Sequence, residues 1–183
     1  MNFKKSLILL LALCLLFALA GCSGSSTQAE EAAAEEAESE DALVEYAVEG
    51  VGLFRLPQGF SQNAQELTQP LPSTMVEFEK DGWYIMANRF GTDAYEAAGV
   101  ALPADLEEYS TRSGVQDGVP EGSVFDYDSQ GNYVTEFANE DGTITYYVLL
   151  QGPESFGSIL LTAPEDVFDS DTAALWASGS KLD

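Results

Sequence analysis

Histidine is absent from the 183 residues. That removes the ordinary general base near neutral pH, the Ser-His-Asp arrangement, and zinc or iron sites built on imidazole. Cysteine occurs twice, as Cys14 and Cys22, and neither lies beyond residue 22. The bulk of the chain therefore has no disulfide and no thiolate chemistry, and its fold must rest on its core alone. Positive charge is scarce, with seven Lys and Arg against 31 Asp and Glu. Beyond the first turns the lysines are only Lys80 and Lys181, which leaves few candidates for a Schiff base or a Ser-Lys mechanism. No glycine-rich phosphate loop of the P-loop or dinucleotide type is present.

What is there begins with a sorting signal. Lys4 and Lys5 precede Leu7 to Ala20, an unbroken run of 14 apolar or small residues. A charged start, a short apolar stretch and a small-residue exit form an export signal. A helix needs about 20 apolar residues to cross the hydrocarbon core, so this run is too short to be a comfortable span. Its exit, Leu19-Ala20-Gly21-Cys22, resembles the lipobox of bacterial lipoproteins. The resemblance implies cleavage before Cys22 and a diacylglyceryl group on its sulfur, so residues 1–21 read as signal peptide and Cys22 as the lipidation site. Two acyl chains suffice for stable anchoring where one gives only marginal binding. With Cys14 discarded and Cys22 acylated, no unpaired thiol is left to explain.

Residues 22–43 read as the lipidated terminus and a tether. Ser23 to Gln28 is polar, and Ala29 to Ala42 is almost wholly Ala and Glu, without aromatic or large aliphatic residues. Such a segment cannot bury a core. Its acidic side chains repel one another, and 20 residues of flexible chain reach about 25 Å. Without Lys4 and Lys5, five basic residues stand against 31 acidic ones, a net charge of −26. That charge repels polyanions, so neither nucleic acid nor anionic lipid headgroups are expected partners. A cationic partner would be steered toward it.

Residues 44–183 carry the large apolar side chains and read as a single globular domain, long enough to bury a core without disulfides. Period-two alternation dominates. An apolar-rich stretch from Tyr46 to Leu56 ends at Pro57-Gln58-Gly59. Val76 and Phe78 alternate with Glu77 and Glu79, and Asp81-Gly82 predicts a type I′ hairpin into Trp83 to Phe90. A four-strand meander is expected over Val124–Asp128, Asn132–Asn139, Thr143–Leu150 and Phe156–Thr162. Its third strand turns apolar on both faces, as a central strand would. Helices are expected from Thr92 to Gly99, from Pro103 to Gly114, and from Pro164 or Asp169 to Gly179. The result is an α+β domain with an antiparallel sheet of about six or seven strands flanked by helices.

The segment Phe54-Arg55-Leu56-Pro57-Gln58-Gly59-Phe60 is similar to the opening strand-Pro-x-Gly-aromatic element of PsbP-like domains. The Tyr146-Tyr147-Val148 strand, the Ile159-Leu160-Leu161-Thr162 strand and the closing helix fit the order of that family. The resemblance covers most of residues 44–183. It implies a sheet flanked by helices and no enzymatic activity, and the histidines through which relatives might hold metals are missing here.

Three patterns tempt a sharper assignment. Asp126-x-Asp128-x-Gln130-Gly131-Asn132 resembles the front of a calcium loop, but its twelfth position is Phe137 where a bidentate Glu is required. A turn rich in Asp, Gln, Gly and Asn accounts for the same residues. Glu77 and Glu136 are candidates for a glycosidase-type carboxylate pair, if the fold brings them within about 5–10 Å. Trp83, Tyr84, Tyr133, Tyr146 and Tyr147 would suit a ligand-stacking face or ordinary core packing. No catalytic, cofactor-binding or metal residue is assigned, and no cofactor is expected. The sequence thus predicts a monomeric, non-enzymatic binding or scaffold domain, lipid-anchored to the extracytoplasmic face of a membrane, with an envelope protein as partner. In a cell with two membranes the outer one is a possible destination. The alternatives are a small carboxylate-based hydrolase and a solute-capture accessory protein, which needs an apolar pocket.

Overall fold

The computed structural model describes residues 42–68 and 72–183. The expected signal peptide (1–21), the expected lipidation site Cys22 and the expected tether up to residue 41 lie outside the described residues. The chain opens as a hairpin, β1 (Leu43–Val48) and β2 (Gly52–Pro57), followed by β3 (Ser61–Leu67), β4 (Ser73–Lys80) and β5 (Trp83–Gly91). Three short helices come next, α1 (Thr92–Ala98), α2 (Leu106–Ser110) and α3 (Ser113–Gln116). Then come β6 (Asp126–Tyr127), β7 (Tyr133–Ala138), β8 (Thr143–Gly152) and β9 (Ser155–Pro164), and finally α4 (Ser170–Ser178) and β10 (Lys181–Leu182).

Seven strands form one antiparallel sheet in the order β3-β4-β5-β9-β8-β7-β6. The expected α+β class, antiparallel sheet and C-terminal meander are all present. Asp81 and Gly82 both have positive φ, 51° and 86°, as a type I′ hairpin demands. The two halves of the sheet join where β5 pairs with β9, with Asn88 opposite Ser158. Gly157 is required at this seam, because a Cβ there would overlap the Asn88 carbonyl oxygen.

Alternation gives the sheet two different faces. On the first, Val76, Phe78, Ile85, Tyr146, Val148 and Ile159 meet Phe54 and Leu56 of β2 and Trp176 of α4. Phe54 lies 5.3 Å from Phe78 and Trp83 lies 4.8 Å from Trp176, centroid to centroid. The three-stranded sheet β1-β2-β10 closes over this face. Tyr46 pins its hairpin to the following loop: its Oη donates to the Pro57 carbonyl and accepts from the Gly59 and Phe60 amides. On the second face, Tyr147, Leu149 and Phe156 meet Leu106, Tyr109 and Val115 from the α2–α3 segment and Phe125 just before β6. β8 is buried on both faces from Thr145 to Leu150, as its sequence required of a central strand.

Several expectations need correction. The Tyr46–Leu56 stretch is not a single run; it turns through Gly50 (φ 75°), and its two halves pair with each other and with β10. β3 was not foreseen, since all seven of its residues are exposed and polar residues dominate it. α1 begins at Thr92 as expected, with Gly91 rather than Thr92 at its N-cap. The second helix starts three residues after Pro103, because the Asp105 carboxylate accepts from the Glu108 amide and fixes the cap there. That helix stops at Ser110, before Gly114, and a separate helix, α3, was not expected. For α4 the Asp169 start is the one adopted, with its carboxylate accepting from the Thr172 amide.

Candidate functional site

The second face carries polar positions among its apolar ones. Asn88 and Ser158 are cross-strand partners there, and Asn88 Oδ1 accepts from the Ser158 amide at 3.0 Å and from its Oγ at 3.1 Å. Since a backbone N–H can only donate, the oxygen of Asn88 is fixed toward Ser158 and its Nδ2 has donors to spare. Next to them, on β8, stands Tyr147.

The segment from Thr92 to Gly118 folds over this part of the sheet and does not fill the space beneath it. A cavity of about 310 Å³ results, at the lower end of the usual size of ligand sites. Tyr147, Ser158, Tyr109 and Val115 are buried at its base, while Ala98, Val100 and Gly114 are exposed at its rim. Phe90 and Ala94 complete apolar walls. The Tyr109 ring packs on Phe156 with centroids 5.1 Å apart.

Three phenols share this space. Burial pushes the Tyr109 phenol well above its ordinary value, with Tyr95 and Tyr147 adding to the rise. Burial also raises Tyr147. Tyr95 is pushed up to about 12 by burial, against the pull of the neighbouring Arg112 guanidinium. At neutral pH all three are therefore protonated and able to donate hydrogen bonds.

Arg112 is the charged side chain of the lining. Its Nη2 donates to Glu108 Oε1 at 2.7 Å and to the Ala101 carbonyl at 3.3 Å. Glu108 is itself held, its Oε2 accepting from the Ala104 amide at 2.9 Å. The Arg112 Nε is buried and has no hydrogen-bond partner among the described residues. An unmet buried donor costs roughly 1–3 kcal/mol. The cavity thus offers apolar walls, neutral hydroxyls and an amide donor. It can hold and orient a molecule that brings acceptors.

The residues singled out by sequence are placed elsewhere. Glu77 and Glu136 sit on β4 and β7, four strand spacings apart, or about 19 Å across the sheet. They also point to opposite faces, since Glu77 pairs with Met86 while Glu136 pairs with Tyr146. Glu77 accepts from Tyr84 and Asn63, and Glu136 from Ser170. They cannot act on one substrate. In the Asp126–Asn132 segment, Asp128 accepts from the Gln130 and Asn132 amides and from Asn132 Nδ2, so its carboxylate builds the β6–β7 turn. No group of three or more potential metal-ligating side chains occurs among the described residues. Of the five aromatics, Trp83 and Tyr146 belong to the first face, and only Tyr147 lines the cavity.

Sequence reasoning missed Tyr95, Tyr109 and Arg112. A faint signal existed: Tyr109 and Arg112 stand three apart in a run otherwise made of Glu, Ser and Thr. An aromatic in such a run is the residue that turns inward, and its i+3 neighbour follows on the same side.

No family model, curated protein or solved structure matches the chain. No helix among the described residues is long and apolar enough to cross a membrane.

Proposed function

We propose that this chain is a lipid-anchored extracytoplasmic protein whose domain captures a small molecule without transforming it. Of the readings the sequence left open, this is binding in the form of solute capture. The observation that carries it is the cavity over the second face, with apolar walls and a lining that includes Asn88, Ser158 and the phenols of Tyr95, Tyr109 and Tyr147. The lining supports binding over turnover, because Arg112 is its one charged side chain and it contains no carboxylate pair. Cys22 supplies the anchor in this proposal, and residues 22–43 the reach. The likeness to PsbP-like domains belongs to the same proposal, supported by the order of meander and closing helix.

Two experiments test it. Cys22→Ser should release the protein from membranes on cell fractionation; persistence in the membrane fraction would refute the anchor. A panel of small fragments titrated onto the full chain should yield binders that Ala98→Trp blocks at the cavity rim. Ala98 is exposed, so the stability of that variant should change by no more than about 0.5 kcal/mol. Fragments that bind the variant as well as the parent would refute capture in this pocket.

A further inference from the structure

The seven-stranded sheet ends in two unlike edges. β6, at one end, is two residues long. β3, at the other, runs for seven residues, pairs without interruption from Ser61↔Glu79 to Leu67↔Ser73, and meets no strand but β4 among the described residues. All seven of its residues are exposed. An open edge of that length is a template for strand addition, and proteins commonly guard it with lysine, proline, a bulge or a covering element. β3 contains neither lysine nor proline, and its register has no bulge. β1, an edge strand of the smaller sheet, is exposed only at Glu45 and Ala47 and carries Leu43, Tyr46 and Val48 to the first core.

Charge decides what can approach β3. Of the whole chain, 21% of the residues are charged, most of them acidic, yet Gln58 to Val76 contains a single charged residue, Glu66. A protein that repels its own copies nearly everywhere thus keeps one exposed strand almost free of charge. We propose that β3 is the interface of a homodimer, in which two copies pair β3 with β3 antiparallel about a two-fold axis at Ala64. That register sets Ser61 opposite Leu67, Gln62 opposite Glu66, Asn63 opposite Gln65, and Ala64 opposite itself. No like charges face one another, and the Glu66 carboxylate meets a side-chain amide able to donate to it. The two Glu66 side chains lie four residues apart along the strands, about 14 Å, which exceeds the Debye length of about 8 Å in physiological salt. Glu77 of β4 is three strand spacings from its counterpart, again about 14 Å. The two-fold consumes both β3 edges and leaves the two-residue β6 at either end of the joined sheet, so assembly stops at two copies. A dimer here replaces the monomer expected from the sequence and does not depend on ligand capture.

Single cysteines in the full chain, treated in isolated membranes with a short thiol-specific cross-linker, read the register. Ala64→Cys should link to its counterpart, because the two Cβ atoms lie about 5 Å apart. Leu67→Cys should not exceed the parent, whose Cys14 and Cys22 set the background, since its two positions are about 20 Å apart. Adding Ser61→Cys to Leu67→Cys should restore the link. In maltoside micelles the full chain should sediment as a dimer that tightens as salt rises, because screening weakens the repulsion between two acidic copies. Ala64→Glu sets two carboxylates face to face and should give a monomer with the melting temperature in place. Equal linking at Ala64→Cys and Leu67→Cys, a monomer throughout, or a dimer that Ala64→Glu leaves intact would overturn the proposal. So would a dimer that salt dissolves, since β3 has no basic residue with which to form ion pairs. Ala64→Cys linked to a different protein and not to its counterpart would overturn the second copy as the occupant.

Discussion

The two faces of the seven-stranded sheet are built from the same strands and end in different states. The first meets a second sheet and a nine-residue helix, and aromatic rings interlock across the gap. The second meets helices of seven, five and four residues joined by loops, and a cavity is left between them and the sheet. Regular elements present a continuous ridge of side chains to pack against. Short, irregular ones leave gaps, and where the gaps hold polar groups with spare bonds they become sites. On the proposed function, the first face carries stability and the second the binding.

The largest effect expected is on the first face. Phe54 is 1 % exposed and packs on Phe78. Phe54→Ala should lower the free energy of unfolding by about 3–5 kcal/mol. Tyr109→Phe, on the second face, removes a hydroxyl that makes no hydrogen bond within the described protein, and should stay within about 0.5 kcal/mol of the parent. Denaturant titration of both variants breaks the comparison if the two costs turn out alike.

Alkaline pH should act chiefly through the second face. Its phenols hold their protons in the folded protein above the ordinary value of 10.0, Tyr95 up to about 12 and Tyr109 higher still, whereas the unfolded chain releases them near 10.0. Between those values the folded state binds more protons, so stability falls as pH rises. The contribution of the neutral phenols is whole below the unfolded value and is lost as pH climbs through the folded ones. Tyrosinate absorbance followed together with circular dichroism should show these phenols ionising with unfolding. Tyr109→Phe should make the alkaline loss shallower. Ionisation of every tyrosine near 10 with the fold intact would contradict the burial of the second face.

A smaller effect sharpens the picture of the segment covering the cavity. Asp105→Ala removes the carboxylate that caps α2 and should cost about 1 kcal/mol. Hydrogen exchange should quicken in the amides around Tyr109 and Arg112 and not in β8. Equal quickening in β8 would mean that the covering segment and the sheet open as one.

Much of the fold was legible because its signals are local. Asp81-Gly82 between alternating runs specified a hairpin, and Ile144 to Leu150 specified a strand buried on both sides. Long-range facts were not legible. Nothing in Tyr46–Leu56 states that it closes over Phe78, and β3 has no apolar alternation because its side chains face solvent on both sides. The site was harder still. Tyr147 was noticed for its ring, but its neighbours Asn88 and Arg112 come from segments 59 and 35 residues away in the chain, brought together by the β5–β9 pairing and the fold of the covering segment. Candidates such as Glu77 and Glu136 failed for the same reason, since spacing in sequence does not say which face a strand residue takes until its register is known.

The most direct test of the account is backbone chemical-shift mapping of the full chain with the fragment panel. The account predicts saturable changes gathered at Tyr95, Tyr109, Arg112 and Tyr147, with the signals of Phe54, Phe78 and Trp176 unmoved. Changes centred on the first face, or no saturable change around Arg112 with any fragment, would contradict it.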